Sequence, residues 1–141
     1  MITIKEVRKK DKKAVDKFAE SEWKKFNQER GYQFNEKKYL IAAYENKKIM
    51  GFASFKINGG ASYLSQLLIS KKARRKGLGH LLITKFEEIS KKKRCHIAYL
   101  ETSERHKEAL KFYKKHGYKI VATLKNNKFH FTWYFLEKKL K

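Results

Sequence analysis

The chain contains no proline, only one cysteine and no long apolar run, and each absence narrows what it can be. Without proline, glycine and asparagine must mark the turns. The lone Cys95 excludes an internal disulfide framework and points to a reducing cytoplasm. No stretch approaches the roughly 20 apolar residues that span a bilayer. The opening MITIKEVRKKDKK has no apolar core, so neither a membrane protein nor a secretory signal is expected. Acidic residues are scarce as well: 14 Asp and Glu stand against 36 Lys and Arg, a formal net charge of +22. Such a field attracts nucleic acid, ribosomes, anionic cofactors or acidic proteins, repels free polyamines at long range, and is equally compatible with a solvated basic surface. The five histidines form no HxxxH pattern and no CxxC exists, so no metal site is expected.

What the chain does have is a core. At 141 residues it suits one domain over 1–141, and ten Phe, eight Tyr and two Trp within 41% hydrophobic content are too many for a disordered polycation. The alternation in ITIKEV (2–7) predicts a first strand. Ala14, Val15, Phe18, Ala19, Trp23 and Phe26 recur at helical spacing from about Asp11, and 27–38 reads as a loop or short second helix. YLIAAYE and KIMGFASFKI predict two strands around a turn at 45–48. Asn58-Gly59-Gly60 supplies a tight hairpin turn into a third strand over 61–69. Leu81, Leu82, Phe86 and Ile89 mark a helix ending in KKKRC, where basic residues suit the negative end of the macrodipole. CHIAYLE reads as a buried strand, Ala109 to Tyr113 as a helix ended by Gly117, and YKIVATL with FHFTWYFLE as a closing hairpin. The order β-α-(α)-β-β-β-α-β-α-β-β is a mixed α/β layout without linker or repeat.

SKKARRKGLGHLL (70–82) places five positive charges between a strand and a helix, just ahead of two glycines. A helix start of this kind is an anion site, because its first amides lack internal acceptors and sit at the positive end of the dipole. No GxxxxGK[ST] exists in the chain, and Gly77-Leu78-Gly79-His80-Leu81-Leu82 lacks the third glycine of GxGxxG. Arg74-Arg75-Lys76-Gly77-Leu78-Gly79 does fit [Q/R]xxGx[G/A], an acetyl-CoA-binding signature.

On this hexapeptide, on the preceding LSQLLIS, and on ALKFYKKHGY (109–118), which resembles an AxxxYxxxGF segment, the chain resembles the GNAT superfamily of N-acetyltransferases. It resembles the small members that act on proteins or peptides. The resemblance implies a GNAT fold: a central, mostly antiparallel twisted sheet with splayed strands 4 and 5, flanked by helices. It implies acetyl-CoA as the acyl donor, no metal, and a primary amine attacking directly in a ternary complex. Arg74, Arg75 and Lys76 would meet the pyrophosphate and 3′-phosphate. The amides of Arg75, Lys76, Gly77, Leu78, Gly79 and His80 would cradle them, and the backbone of Leu67, Leu68 and Ile69 would pair with the pantetheine arm. His106 stands where the family often has an asparagine, and its ring is a candidate contact to pantetheine or phosphate. Lys71 or Lys72 replaces a common proline.

Acyl transfer needs a neutral amine, help for the oxyanion, and a proton for the leaving thiolate. In the family Tyr113 would be the acid at sulfur. Glu101, closing HIAYLE twelve residues before Tyr113, is the candidate base, accepting the amine proton directly or through a water; an ordinary ion pair with a lysine explains it equally well. Tyr63, Ser65 and Gln66 offer no carboxylate. Cys95 reads as a buried structural thiol, since neighbouring His96 points to the opposite face. His130, Thr132 and Tyr134 share one face of the expected last strand and would border the acceptor cleft, with residues 24–38 and the turn at 125–128. A protein or peptide amine is slightly favoured over a small molecule, and monomer and homodimer are both compatible. From a different class, the charge also fits a nucleic-acid- or ribosome-binding module on the same fold with little catalysis.

Overall fold

The computed structural model describes all 141 residues, and they divide into two compact units, Met1–Asn35 and Glu36–Lys141. In the first, residues 1–8 have no regular structure, so the strand expected over 2–7 is absent. Ile2 and Ile4 alternate with Thr3 and Lys5 as in a strand, but no ladder partner bonds them. Helix α1 (Lys12–Arg30) runs further than its sequence pattern suggests. It ends at Gly31, whose φ of +75° and amide bond to the Asn27 carbonyl form a left-handed cap. No second helix follows. Trp23 meets Phe26 edge-on at 5.5 Å, and the Arg30 guanidinium lies 4.1 Å over the Phe26 ring.

The second unit is built on a six-stranded sheet. Its elements are β1 (Lys37–Glu45), β2 (Lys48–Asn58), β3 (Ala61–Ile69), α2 (Leu78–Lys92), β4 (Ile97–Ser103), α3 (Lys107–Lys115), β5 (Lys119–Leu124) and β6 (Trp133–Lys139). Strand order is β1-β2-β3-β4-β6-β5, and every neighbouring pair is antiparallel except β3 with β4. Gly59 (φ +61°) and Gly60 (φ +79°) join β2 to β3 in two residues, as the dipeptide predicts. The last hairpin differs. Its second strand begins only at Trp133, because Lys128–His130 forms a short helical turn with Phe129 at φ +58° and His130 at φ +62°.

Alternate residues of the central strands face one core. Ala53 and Phe55, Ser62 and Leu64, Ala98 and Leu100, and Leu136 are all buried there against Ile83 and Phe86 of α2. Phe55 stacks on Tyr39 at 5.1 Å and meets Phe86 edge-on at 4.9 Å. Each such side chain contributes roughly 1.5–3 kcal/mol when fully buried. Polar groups in this layer are paired: Ser90 Oγ lies 2.7 Å from both the Ser62 hydroxyl and the Phe86 carbonyl.

Buried Glu87 of α2 accepts a hydrogen bond from the Tyr118 hydroxyl (2.9 Å) and another from Lys138 Nζ of β6 (2.7 Å). The two bonds tie α2, the segment after α3, and β6 together. Glu87→Ala leaves a partly buried ammonium and a buried phenol without an acceptor, and is expected to lower stability by about 3 kcal/mol. Urea denaturation checks this; an unchanged midpoint would show the network to be energetically idle.

Candidate active site

The sheet opens between its two parallel strands. β3 and β4 pair only at Ala61–Ile97, Ser62–Ala98 and Tyr63–Tyr99. Beyond Tyr63, β3 stays on β2 as far as the Gly51–Ile69 pair, whereas β4 follows β6 to the Ser103–Trp133 pair. These are the two strands expected to splay, and they do. Leu67, Leu68 and Ile69 pair with Ala53, Phe52 and Gly51 on one side and carry no strand on the other. Gly51 is required at this end: a Cβ there would stand 2.8 Å from the Leu68 carbonyl oxygen and 2.7 Å from Ile69 Cδ1. One of the backbone groups expected to meet pantetheine is already engaged, because Arg74 Nε donates to the Ile69 carbonyl at 3.2 Å. Ser65 Oγ, on the same stretch of β3, is buried without a hydrogen-bond partner. A bound polar chain could satisfy it.

The loop after β3 arranges donors and withholds acceptors. Ser70 N–H donates to the Met50 carbonyl, a short helical turn spans Lys71–Ala73, and Arg75 then takes φ +65° and Gly77 φ +79°. The first bond of α2 runs from Leu81 N–H to the Gly77 carbonyl (3.1 Å), with no side-chain cap and no acidic residue in the first turn. The amides of Leu78, Gly79 and His80 therefore lack helical acceptors. Successive amides around a left-handed residue also form an anion-binding concavity. Arg75 makes no ion pair, and Lys76 Nζ lies 3.8 Å from exposed Glu45. The two glycines divide the work. Gly77 supplies the left-handed turn and faces open space, whereas a Cβ at Gly79 would meet the Phe112 ring at 3.2 Å. The second glycine thus lets α3 pack against the start of α2.

A histidine pair reinforces that junction. His116 Nδ1 lies 2.8 Å from the Phe112 carbonyl, which only accepts, so this nitrogen carries the proton. His116 Nε2 lies 3.0 Å from His80 Nδ1, so one of these two ring nitrogens donates to the other. His106 begins α3, its amide donating to the Ser103 carbonyl; its ring makes no hydrogen bond.

Tyr113, on α3, is buried in the core between Phe112 and Tyr118, with ring centroids 5.4 and 6.0 Å away. Its hydroxyl bonds no other group in the chain, and burial pushes its pKa up to about 12. Glu101 lies within β4 rather than at its end, since the strand continues to Ser103. Its Oε1 accepts from the Tyr63 hydroxyl and from Lys128 Nζ, each at 3.2 Å. Burial and then the charge of Glu101 push the Tyr63 hydroxyl up to about 12, so it stays a donor. No bond joins Glu101 to Tyr113.

Three residues here escape the sequence pattern: Tyr63, Lys128 and Trp133, whose ring lies 4.6 Å from the Lys128 ammonium. Only the turn holding Lys128 carried a signal. His130, Thr132 and Tyr134 do not share a strand face, because the first two precede β6. His130 Nδ1 lies 3.0 Å from Asn126 Oδ1, and the Thr132 amide donates to the Glu104 carboxylate at 3.0 Å. Cys95 is buried, which raises its thiol pKa and suits a structural role. No helix is long and apolar enough to cross a membrane.

Similarity to known proteins coincides with this architecture. The family described as "Acetyltransferase (GNAT) family" matches residues 6–118. An acetyltransferase from Bacillus cereus ATCC 14579 superposes with a TM-score of 0.80 at 20% identity, covering 99% of this chain and 98% of that chain. The PaiA N-acetyltransferase from Thermoplasma acidophilum, in complex with coenzyme A, gives 0.63 at 21% identity, covering 81% and 65%. The ribosomal-protein-S18-alanine N-acetyltransferase from Escherichia coli gives 0.68 at 16% identity, covering 84% and 76%. No curated protein sequence matches the chain. At these identities the superpositions establish the fold.

Proposed function

The chain belongs to the GNAT family of acetyltransferases, with acetyl-CoA as acyl donor, and we propose that it acetylates a protein or peptide amine. The observation that carries the site is the junction of an unpaired β3 edge with an uncapped, basic α2 start. Residues 1–141 act as one catalytic domain in a reducing cytoplasm, as the lone buried cysteine supports.

In this reading the amides from Arg75 to His80 take the pyrophosphate, with Arg74, Arg75 and Lys76 adding charge. The pantetheine arm lies along Leu67, Leu68 and Ile69, where it reaches the orphaned Ser65 hydroxyl; the His106 ring borders it. Glu101 draws the proton from the attacking amine. Tyr113 faces a different task. An alkyl thiol has a pKa near ~8.5, so full proton transfer from a phenol held at about 12 is opposed by about 5 kcal/mol. Tyr113 therefore stabilises the departing sulfur as a hydrogen-bond donor, and solvent completes the protonation.

Charge supports the acceptor class. A +22 field repels small polycations within about a Debye length of the surface, but not a peptide carrying acidic residues near its amine. The fold shared with an S18-alanine acetyltransferase is consistent with this preference. Free-thiol release measured with peptides, polyamines and aminoglycosides tests the reading. Peptide amines are expected to turn over fastest; turnover confined to polyamines or aminoglycosides would overturn the assignment.

A further inference from the structure

We propose that Lys128 is a self-acetylation site: the chain's own active site transfers acetyl from acetyl-CoA to the Lys128 side chain. The proposal rests on the reading of Glu101 as base. A general base must lie within roughly 2.6–3.2 Å of the atom whose proton it takes, and Lys128 Nζ already stands 3.2 Å from Glu101 Oε1. That carboxylate sits two residues beyond the last β3–β4 pair, where the strands part and the acetyl end of a pantetheine on 67–69 must arrive.

The amine is held there by more than one contact. Its ammonium lies 4.6 Å over the Trp133 ring, and Trp133 Nε1–H donates to the Lys128 carbonyl at 2.9 Å. The turn itself is costly: Asn126, Phe129 and His130 all have positive φ, and Phe129 is 76% exposed, so burial of that ring does not account for it. Contacts around Lys128 are among those that hold this conformation. Most other ion pairs of the chain join neighbours three or four apart on one helix, and Lys138–Glu87 is in the core. Lys128 is half exposed, so its head can leave the carboxylate and swing toward a thioester.

The step balances without a further reagent. The Lys128 ammonium first gives one proton through Glu101 to water; the neutral Nζ then attacks the thioester carbonyl carbon, the C–N bond forms and the C–S bond breaks. The proton lost by nitrogen passes to the Glu101 carboxylate and on to water, and coenzyme A leaves as a thiolate that solvent protonates. Attack within one molecule gains from high effective molarity. The product amide is uncharged and forfeits the ion pair with Glu101.

The test is a time course of purified chain with acetyl-CoA and no added amine, read by peptide mass spectrometry. Lys128 is expected to gain acetyl at least about 100-fold faster than exposed Lys12 or Lys25, the low side of what a general base provides. The rate should be first order and unchanged on dilution. Glu101→Gln should bring Lys128 down to the background of the other lysines, and Lys128→Arg should remove the modification while keeping the acetyl-CoA melting shift. If the wild type shows that shift but Lys128 reacts no faster than other lysines, or its rate follows protein concentration, the proposal is wrong and the site assignment stands. Absence of both shift and acetylation overturns the site reading together with the proposal.

Discussion

Gly77→Asp abolishes the stabilisation that acetyl-CoA gives the folded chain. A ligand that binds only the native state adds RT ln(1 + [L]/Kd), about 2.7 kcal/mol at a hundredfold excess over Kd. For a chain of this length each kcal/mol moves the melting point by roughly 2–4 °C, so the wild type should shift by about 5–10 °C. Gly77 has φ +79° and open space where a Cβ would stand. An aspartate there takes on left-handed strain of roughly 1–2 kcal/mol and places a carboxylate among the amides that await phosphate. Gly77→Asn separates these effects, since asparagine tolerates the same backbone without the charge. Asn is expected to keep part of the shift and Asp none. Equal loss in both would assign the effect to backbone geometry, and a wild type unmoved by millimolar acetyl-CoA would refute the cofactor site.

What could be read in advance was local. Arg74 to Gly79 announced a turn and a helix start because glycine positions and charge act within a few residues, and the Gly59-Gly60 hairpin followed for the same reason. Residues 2–7 failed on the opposite ground: alternation reports a face, but a strand also needs a neighbour to bond, and none pairs with it. Phe129 and His130 at positive φ have no compositional marker, so the sequence pattern overextends the last strand, which begins only at Trp133. The surroundings of Glu101 were the least legible part. Tyr63 is 38 residues away and Lys128 is 27, and only the sheet order and the splay bring them to one carboxylate. Gly79 carried the right letter for a different reason, packing against Phe112.

Tyr113→Phe and Glu101→Gln should both damage turnover, with different pH profiles. Tyr113→Phe keeps the ring against Phe112 and Tyr118 and removes only the hydroxyl. Acetyl-CoA affinity should hold while kcat falls by about 10²–10³-fold, the loss that follows removal of one hydrogen-bond donor to developing negative charge. Because burial raises the Tyr113 pKa to about 12, the hydroxyl is protonated throughout the working range. The defect should therefore stay constant with pH up to roughly 10 and disappear only as the wild-type hydroxyl itself ionises. Glu101→Gln removes a proton acceptor instead. Its defect should be largest at low pH, where nearly all amine is protonated, and shrink as rising pH supplies neutral amine without assistance. An α-amine, with a pKa near ~8, should show that rescue at lower pH than a lysine near ~10.4, so the profile also reports the acceptor class. Wild-type turnover by both variants on a substrate the wild type acetylates would make the two residues structural. A Glu101→Gln defect independent of pH would instead give that carboxylate a role in binding the amine rather than in moving its proton.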